Sequence, residues 1–233
     1  MNKLVQLRSK LIGSDEDALK LSEADSADIL VISDSHGNKN ILFEILSSFG
    51  KGSDALVFCG DGAGDVAFML DRASMDIAFS EYIPPVVAVV RGNNDGGCFS
   101  VQFASGAGRF EAESGYERSV IPDSLVLPVC LHKIFITHGH RYYSAENLYY
   151  AAKKAGAYAA LYGHTHIACK IERKGAVLVN PGSCSFPRGG MPPSFARIFV
   201  RKNMEDIKVV FYKIEIYGGK LRYVPFEPGF NFY

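Results

Sequence analysis

The chain has no tryptophan, no CxxC pair, no surplus of either charge, and no apolar run near the roughly 20 residues that a membrane-crossing helix requires. Each absence excludes something. Twenty-five Lys and Arg balance twenty-five Asp and Glu, so no global field draws nucleic acid or an anionic membrane, and any anion must be held by a local site. Nucleic acid and membrane are therefore not expected as partners. The five cysteines (Cys59, Cys98, Cys130, Cys169, Cys184) are odd in number and unpaired in spacing. That argues against a disulfide framework and for a reducing cytoplasm. Cys59 ends an apolar run and reads as a buried thiol. Residues 1–28 carry Lys3, Arg8, Lys10, Asp15, Glu16 and Asp17 and lack the apolar core of a signal peptide.

What is present suits a globular α/β protein: 233 residues, 48% of them hydrophobic. Residues 1–27 space Leu4, Leu7, Leu11, Ala18, Leu19 and Leu21 as one or two short amphipathic helices, a helical extension before the main domain of 28–233. Ile29–Ile32, Ala55–Cys59 and Val86–Val90 read as buried strands. Helices alternate with them, the first capped by Asn38 and covering 39–49, the next covering 64–80. This alternation predicts parallel strand pairs. Residues 96–123 are rich in Gly and Ser and read as an irregular insertion, either a lid or a surface loop. Beyond it come a hairpin ending at Thr137, a helix over 145–155, a strand over 158–162, and a mostly β remainder that suggests a second, more antiparallel sheet. The aromatic tail (Tyr223, Phe226, Phe230, Phe232, Tyr233) is expected to pack on the domain or on a second copy in a homo-oligomer.

The chemistry sits where apolar runs end. Asp34-Ser35-His36 places a carboxylate and an imidazole two residues apart, on one face of an extended segment. Gly60-Asp61-Gly62 and Gly92-Asn93-Asn94-Asp95 follow the next two runs. His138-Gly139-His140 and Gly163-His164-Thr165-His166 supply two His-x-His pairs from only six histidines. His132 lies outside these motifs and reads as structural. The donors are oxygen and nitrogen with no thiolate nearby, which disfavours a cysteine-built zinc site and suits Mn, Fe, Co, Ni or Zn in a hydrolytic centre. Two carboxylates against two divalent ions leave a surplus of two positive charges, matched by a hydroxide and an anionic phosphate ester.

With Thr137 and Asn180-Pro181-Gly182-Ser183 added, six motifs over residues 28–202 resemble, in order, those of the calcineurin-like metallophosphoesterases. The likeness is greatest to the small YfcE-like phosphodiesterase branch, which also contains the eukaryotic retromer subunit. The resemblance implies a four-layer α/β/β/α sandwich of two mixed sheets. It implies that Asp34, His36 and His166 hold one divalent ion, that Asn93, His138 and His164 hold a second, and that Asp61 bridges them. Manganese is the first expectation, and a bridging hydroxide would attack a small phosphate ester, diesters above all. Many relatives have a proton-donating His where this chain has Asn94, and an amide supplies no proton. Asn94, Asp95 and His140 are the expected catalytic residues, with His140 the candidate acid and Asp95 a support. Arg188 is a candidate phosphate contact. The alternatives are a scaffold of the same fold with weak turnover, as in the retromer relative, and a phosphomonoesterase or nucleotidase.

Overall fold

A computed structural model describes residues 2–102, 116–173, 175–204 and 207–229. The chain opens with a short antiparallel hairpin, β1 (Val5–Gln6) and β2 (Ile12–Gly13), followed by helix α1 (Asp15–Glu23). The helical extension expected over 1–27 is thus one helix and a hairpin. Lys10 turns the chain at φ 71°, and each strand is only two residues long, too short to show the alternation that marks a strand. Ser14 caps α1 through the Asp17 N–H.

β3 (Ser26–Ile32) starts the main sheet, and α2 (Lys39–Phe49) returns from it, with Asn38 Oδ1 accepting the Ile41 N–H as its cap. β4 (Ala55–Phe58) pairs parallel with β3. The helix expected over 64–80 is two, α3 (Ala63–Met75) and α4 (Ile77–Ser80). Extended Asp76 breaks it and caps the second piece through the Phe79 N–H. β5 (Val86–Val89) then pairs parallel with β4. β4 and β5 are buried throughout, which is why they read as unbroken apolar runs.

The described ends of the 96–123 segment are not irregular. β6 (Cys98–Gln102) and β7 (Tyr116–Val120) form an antiparallel ribbon, and buried Val101 and Ile121 seat its base in the cluster that contains α3. The intervening tip, and with it the choice between lid and surface loop, lies outside the described residues.

β8 (Ser124–Val129), β9 (His132–Thr137), α5 (Ala145–Lys154), β10 (Ala159–Leu161), β11 (Cys169–Arg173) and β12 (Ala176–Asn180) build the second sheet, in the order β11-β12-β10-β9-β8. Its central strands, β9, β10 and β12, are parallel, and its edges are antiparallel. β13 (Ser194–Arg201), β14 (Lys208–Tyr217) and β15 (Lys220–Phe226) do not join it. β13 pairs antiparallel with β3, so the first sheet runs β1-β2-β5-β4-β3-β13-β14-β15. The free edge of β3 accepts them, an outcome that strand patterning does not encode.

Three apolar layers hold these parts. Ile29, Val31, Val57 and Ala88 meet Leu127, Ile134, Ile136 and Leu161 between the sheets. Leu30, Ile32, Leu56 and Val87 meet Leu42, Ile45, Leu46 and Leu70 of the helices on the outer face of the first sheet. Phe135, Ala160 and Leu178 meet Leu148 and Ala152 on the outer face of the second. The result is the four-layer α/β/β/α sandwich of two mixed sheets. In the aromatic tail, Tyr223 packs with Phe49 and Phe195, and Phe226 packs with Phe211. Phe230, Phe232 and Tyr233 lie outside the described residues.

Candidate metal centre

Parallel strands end together, so the loops after β3, β4 and β5 meet those after β9 and β10 at one rim, the usual place for a site in such sheets. The backbone there is held in a conformation that non-glycine residues use sparingly. Asp34 (φ 56°), His36 (47°), Asp61 (56°), His164 (68°) and His166 (60°) are all left-handed. Such strain persists only where surrounding contacts over-determine it, and it gathers at functional sites.

Those contacts are visible. Asp34 Oδ2 accepts from Ser33 Oγ (2.6 Å) and from the His164 N–H (3.1 Å), and Ser183 Oγ donates to the Asp34 carbonyl (2.7 Å). Asp65, buried on α3, accepts from Ser35 Oγ (2.5 Å) and the Gly37 N–H (2.9 Å) and so fixes the loop of Asp34 and His36. Asp95 does the same for Asp61. Its carboxylate takes the N–H groups of Asp61 (2.7 Å), Gly62, Ala63 and Gly92 (2.9 Å each). Gly92 must be glycine, because a Cβ there would overlap Asp61 Oδ1 and the Asp61 nitrogen.

Two histidines are set as acceptors at Nε2. His138 Nδ1 lies 2.7 Å from the Cys59 carbonyl and His166 Nδ1 2.5 Å from the Phe186 carbonyl. A carbonyl only accepts, so each Nδ1 carries the hydrogen, and in the neutral ring each Nε2 is left with a lone pair. These Nε2 atoms converge on the carboxylates. His166 is 3.2 Å from Asp34 Oδ1, and His138 is 3.4 Å from Asp61 Oδ2 and 4.0 Å from Asp34 Oδ1. His36 Nε2 is 3.8 Å from both Asp34 Oδ1 and Asp61 Oδ2, and 3.2 Å from His166 Nε2. Asn93 Oδ1 lies 3.2 Å from His138 Nε2.

Ionisation follows from this crowding. Burial pushes the Asp61 carboxyl up, but hydrogen bonds from His138 and Asn94 outweigh it, and the group sits well below the usual carboxylate range. Burial lowers His138 and His166, yet Asp61 and Asp34 raise the first and Asp34 the second, each to a net value above that of an ordinary histidine. The cluster attracts positive charge, and a proton is the smallest answer to it.

A cation is the better fit. Asp34 Oδ1 is buried and accepts no hydrogen bond, an expensive state for a carboxylate oxygen. Donors about 2.0–2.2 Å from a shared ion stand roughly 3–3.5 Å apart, close to the separations seen here. Asp34, His36 and His166 form one group whose ligand atoms lie within 4.8 Å of one another, and Asp34, Asp61 and His138 form a second. His164 enters through its main chain. Its ring sits against the rings of His138 (centroids 5.2 Å) and His140 (6.1 Å), outside both groups. Burial, with the charge of His138 added, lowers its pKa.

The expected catalytic residues lie at the same rim in unequal roles. Asn94 is tied to Asp61, its N–H to Oδ1 (2.8 Å) and its Nδ2 to Oδ2 (2.7 Å). Asp95 faces the loop backbone rather than the cluster. His140 is half-buried, with a buried Nδ1 that has no hydrogen-bond partner, and burial, His138 and Arg141 lower its pKa. Arg188 is exposed beside His166, whose carbonyl accepts the Arg188 N–H (3.1 Å). His132 is structural, stacked on Tyr158 with Nε2 near the Arg201 and Lys202 carbonyls. Sequence reasoning missed Ser33, Asp65 and the carbonyls of Cys59 and Phe186. None of them announces itself in the sequence, since an acidic residue in a helical first turn is common.

A family model, the calcineurin-like phosphoesterase superfamily domain, matches residues 28–203. The chain is 29% identical over 183 residues to the probable metallophosphoesterase YsnB of Bacillus subtilis, covering 77% of this chain and 88% of that one. It is 36% identical over 66 residues to the phosphodiesterase YfcE of Escherichia coli, 28% of this chain and 34% of the relative. Among solved structures, a conserved protein of Streptococcus pneumoniae described as a predicted phosphoesterase aligns with TM-score 0.56 and 27% identity over 86% of this chain and 98% of its own. Vps29 of Chaetomium thermophilum shares the fold, with TM-score 0.58 and 18% identity over 85% and 95% of the two chains. With three quarters of its length under one domain model and that domain's layers in its fold, the chain belongs to the calcineurin-like phosphoesterase superfamily.

Proposed function

We propose that the chain is a phosphodiesterase working with two divalent cations. Asp34, His36 and His166 would hold one, Asn93 and His138 the other, joined there by the His164 ring that now packs against His138, and Asp61 would serve both. The single observation that carries this reading is the buried, unpartnered Asp34 Oδ1, faced by imidazole nitrogens whose tautomers are already set. The donors are hard and intermediate, which suits Mn²⁺ first, with Fe, Co, Ni and Zn as other occupants. Bound there, such ions supply positive charge for a phosphoryl oxygen and lower the pKa of water.

The chain's own side chains do the rest. Asn94 and Asp95 hold Asp61 in place as positioning residues, since each is occupied by that duty. Arg188 is exposed next to His166 and takes a non-bridging phosphate oxygen. His140 packs beside His138 and His164, but a lowered pKa makes it a poor proton store at neutral pH. Esters with good leaving groups, such as aryl diesters, are therefore the preferred substrates. The test is hydrolysis of bis-p-nitrophenyl phosphate with added Mn²⁺, beside p-nitrophenyl phosphate as the monoester. Faster turnover of the diester supports the reading, and a monoester preference redirects it to a phosphomonoesterase. No bound metal and no turnover would leave a scaffold.

A further inference from the structure

Phe186 is an apolar side chain in an unexpected place. It is 56% exposed, although it adjoins the buried cluster of Asp34 and His166. Its main chain is fixed at both polar atoms. The N–H donates to Ser183 Oγ (2.7 Å), and the carbonyl accepts from His166 Nδ1 (2.5 Å). Its ring meets the His36 imidazole edge to face, centroids 5.6 Å apart and planes at 90°. Single exposed apolar groups are ordinary on a protein surface. Here, however, the ring is anchored against a metal-ligand histidine at the open side of the cluster. Two residues on, Arg188 presents a guanidinium that has no hydrogen-bond or ion-pair partner among the described residues. The segment 183–188 therefore offers a flat hydrophobic face and a cation side by side at the rim.

Resting on the phosphodiesterase reading, we infer that Phe186 is a specificity-determining residue. Its ring stacks on a planar aromatic group of the ester, an aryl ring or a nucleobase, while the phosphate lies toward Arg188 and the cluster. Alkyl esters gain nothing from that face. Offset stacking of this kind corresponds to about three- to tenfold in affinity.

The test is calorimetric binding of phenyl phosphate and ethyl phosphate to the Mn²⁺-loaded protein, wild type against Phe186→Ala and Phe186→Tyr. Because the Phe186 ring also touches His36, metal content is measured in all three and affinities are compared at equal Mn²⁺ loading. The wild type and Phe186→Tyr should favour phenyl phosphate by about three- to tenfold, and Phe186→Ala should show a ratio near one. Equal affinities in the wild type, a preference retained in Phe186→Ala, or no binding of either ester overturns the inference. Intact aryl preference without turnover of any diester would refute the proposed reaction and leave the role of Phe186 standing.

Discussion

Asp95→Asn isolates the scaffolding of the centre without touching a ligand. Each Asp95 oxygen accepts two backbone N–H groups, Oδ2 those of Asp61 and Gly92, Oδ1 those of Gly62 and Ala63. An asparagine keeps one acceptor and turns a donor toward the other pair, whichever way its amide is flipped. Two hydrogen bonds to a charged acceptor are therefore lost in either rotamer, each worth about 1.5–3 kcal/mol. The residue is half-buried, so water recovers part of that, and a net loss of about 3 kcal/mol is expected. For a chain of this size 1 kcal/mol shifts Tm by about 2–4 °C, giving a fall of about 6–12 °C. The loop that carries Asp61 loosens with it, and metal affinity should drop about 10–100-fold, as for other groups that orient metal ligands. Differential scanning calorimetry of the metal-free protein and an Mn²⁺ titration read the two effects separately. A Tm within 2 °C of wild type together with unchanged Mn²⁺ affinity would refute the view that Asp95 holds this loop.

Four other outcomes follow from the same geometry. Asp61→Ala should lose both ions and all turnover, while His138→Ala should weaken one site, as metal analysis of the purified variants will show. Gly92→Ala should place its methyl on Asp61, cost about 1–3 kcal/mol in a denaturant titration and depress metal content. In the metal-free protein the raised His138 and His166 values mean that bound protons stabilise the fold. That contribution is complete below the unfolded value of about 6.5 and fades as pH rises through the higher folded values, whereas Mn²⁺ affinity rises over the same window as protons leave. Thermal melts with chelator and Mn²⁺ titrations across that range should therefore trend in opposite directions. Finally, because Asn94 cannot donate a proton to the departing oxygen, rates for a series of aryl diesters should fall steeply with leaving-group pKa, and a flat series would reveal another acid.

Much of this centre is legible in the sequence. Asp34, Asp61 and Asn93 each follow a run buried on both faces, and only a strand's end brings such residues to a common rim. The His-x-His pairs follow two further strands for the same reason. Less of the support was readable. Any residue has a carbonyl, so nothing in the letters Cys59 or Phe186 announces that they set a histidine tautomer. Asp65 looks like one more acidic residue of a helical first turn until its contact with Ser35 is seen. The hairpin of β1 and β2 is too short to carry a period, and β15 lies inside a tail whose clearest sequence feature is its aromatic rings. The placement of β13 to β15 on the first sheet depended on which strand edge stayed free, a property of the assembled fold.

Anomalous diffraction from a crystal soaked in manganese addresses the central claim most directly. Two peaks about 3.5–4 Å apart are expected, one among Asp34, His36 and His166, the other beside Asn93, His138 and His164, with Asp61 touching both. Diffraction that shows no peak at this rim, with the Asp34 and Asp61 carboxylates turned away from the imidazoles, would contradict the account.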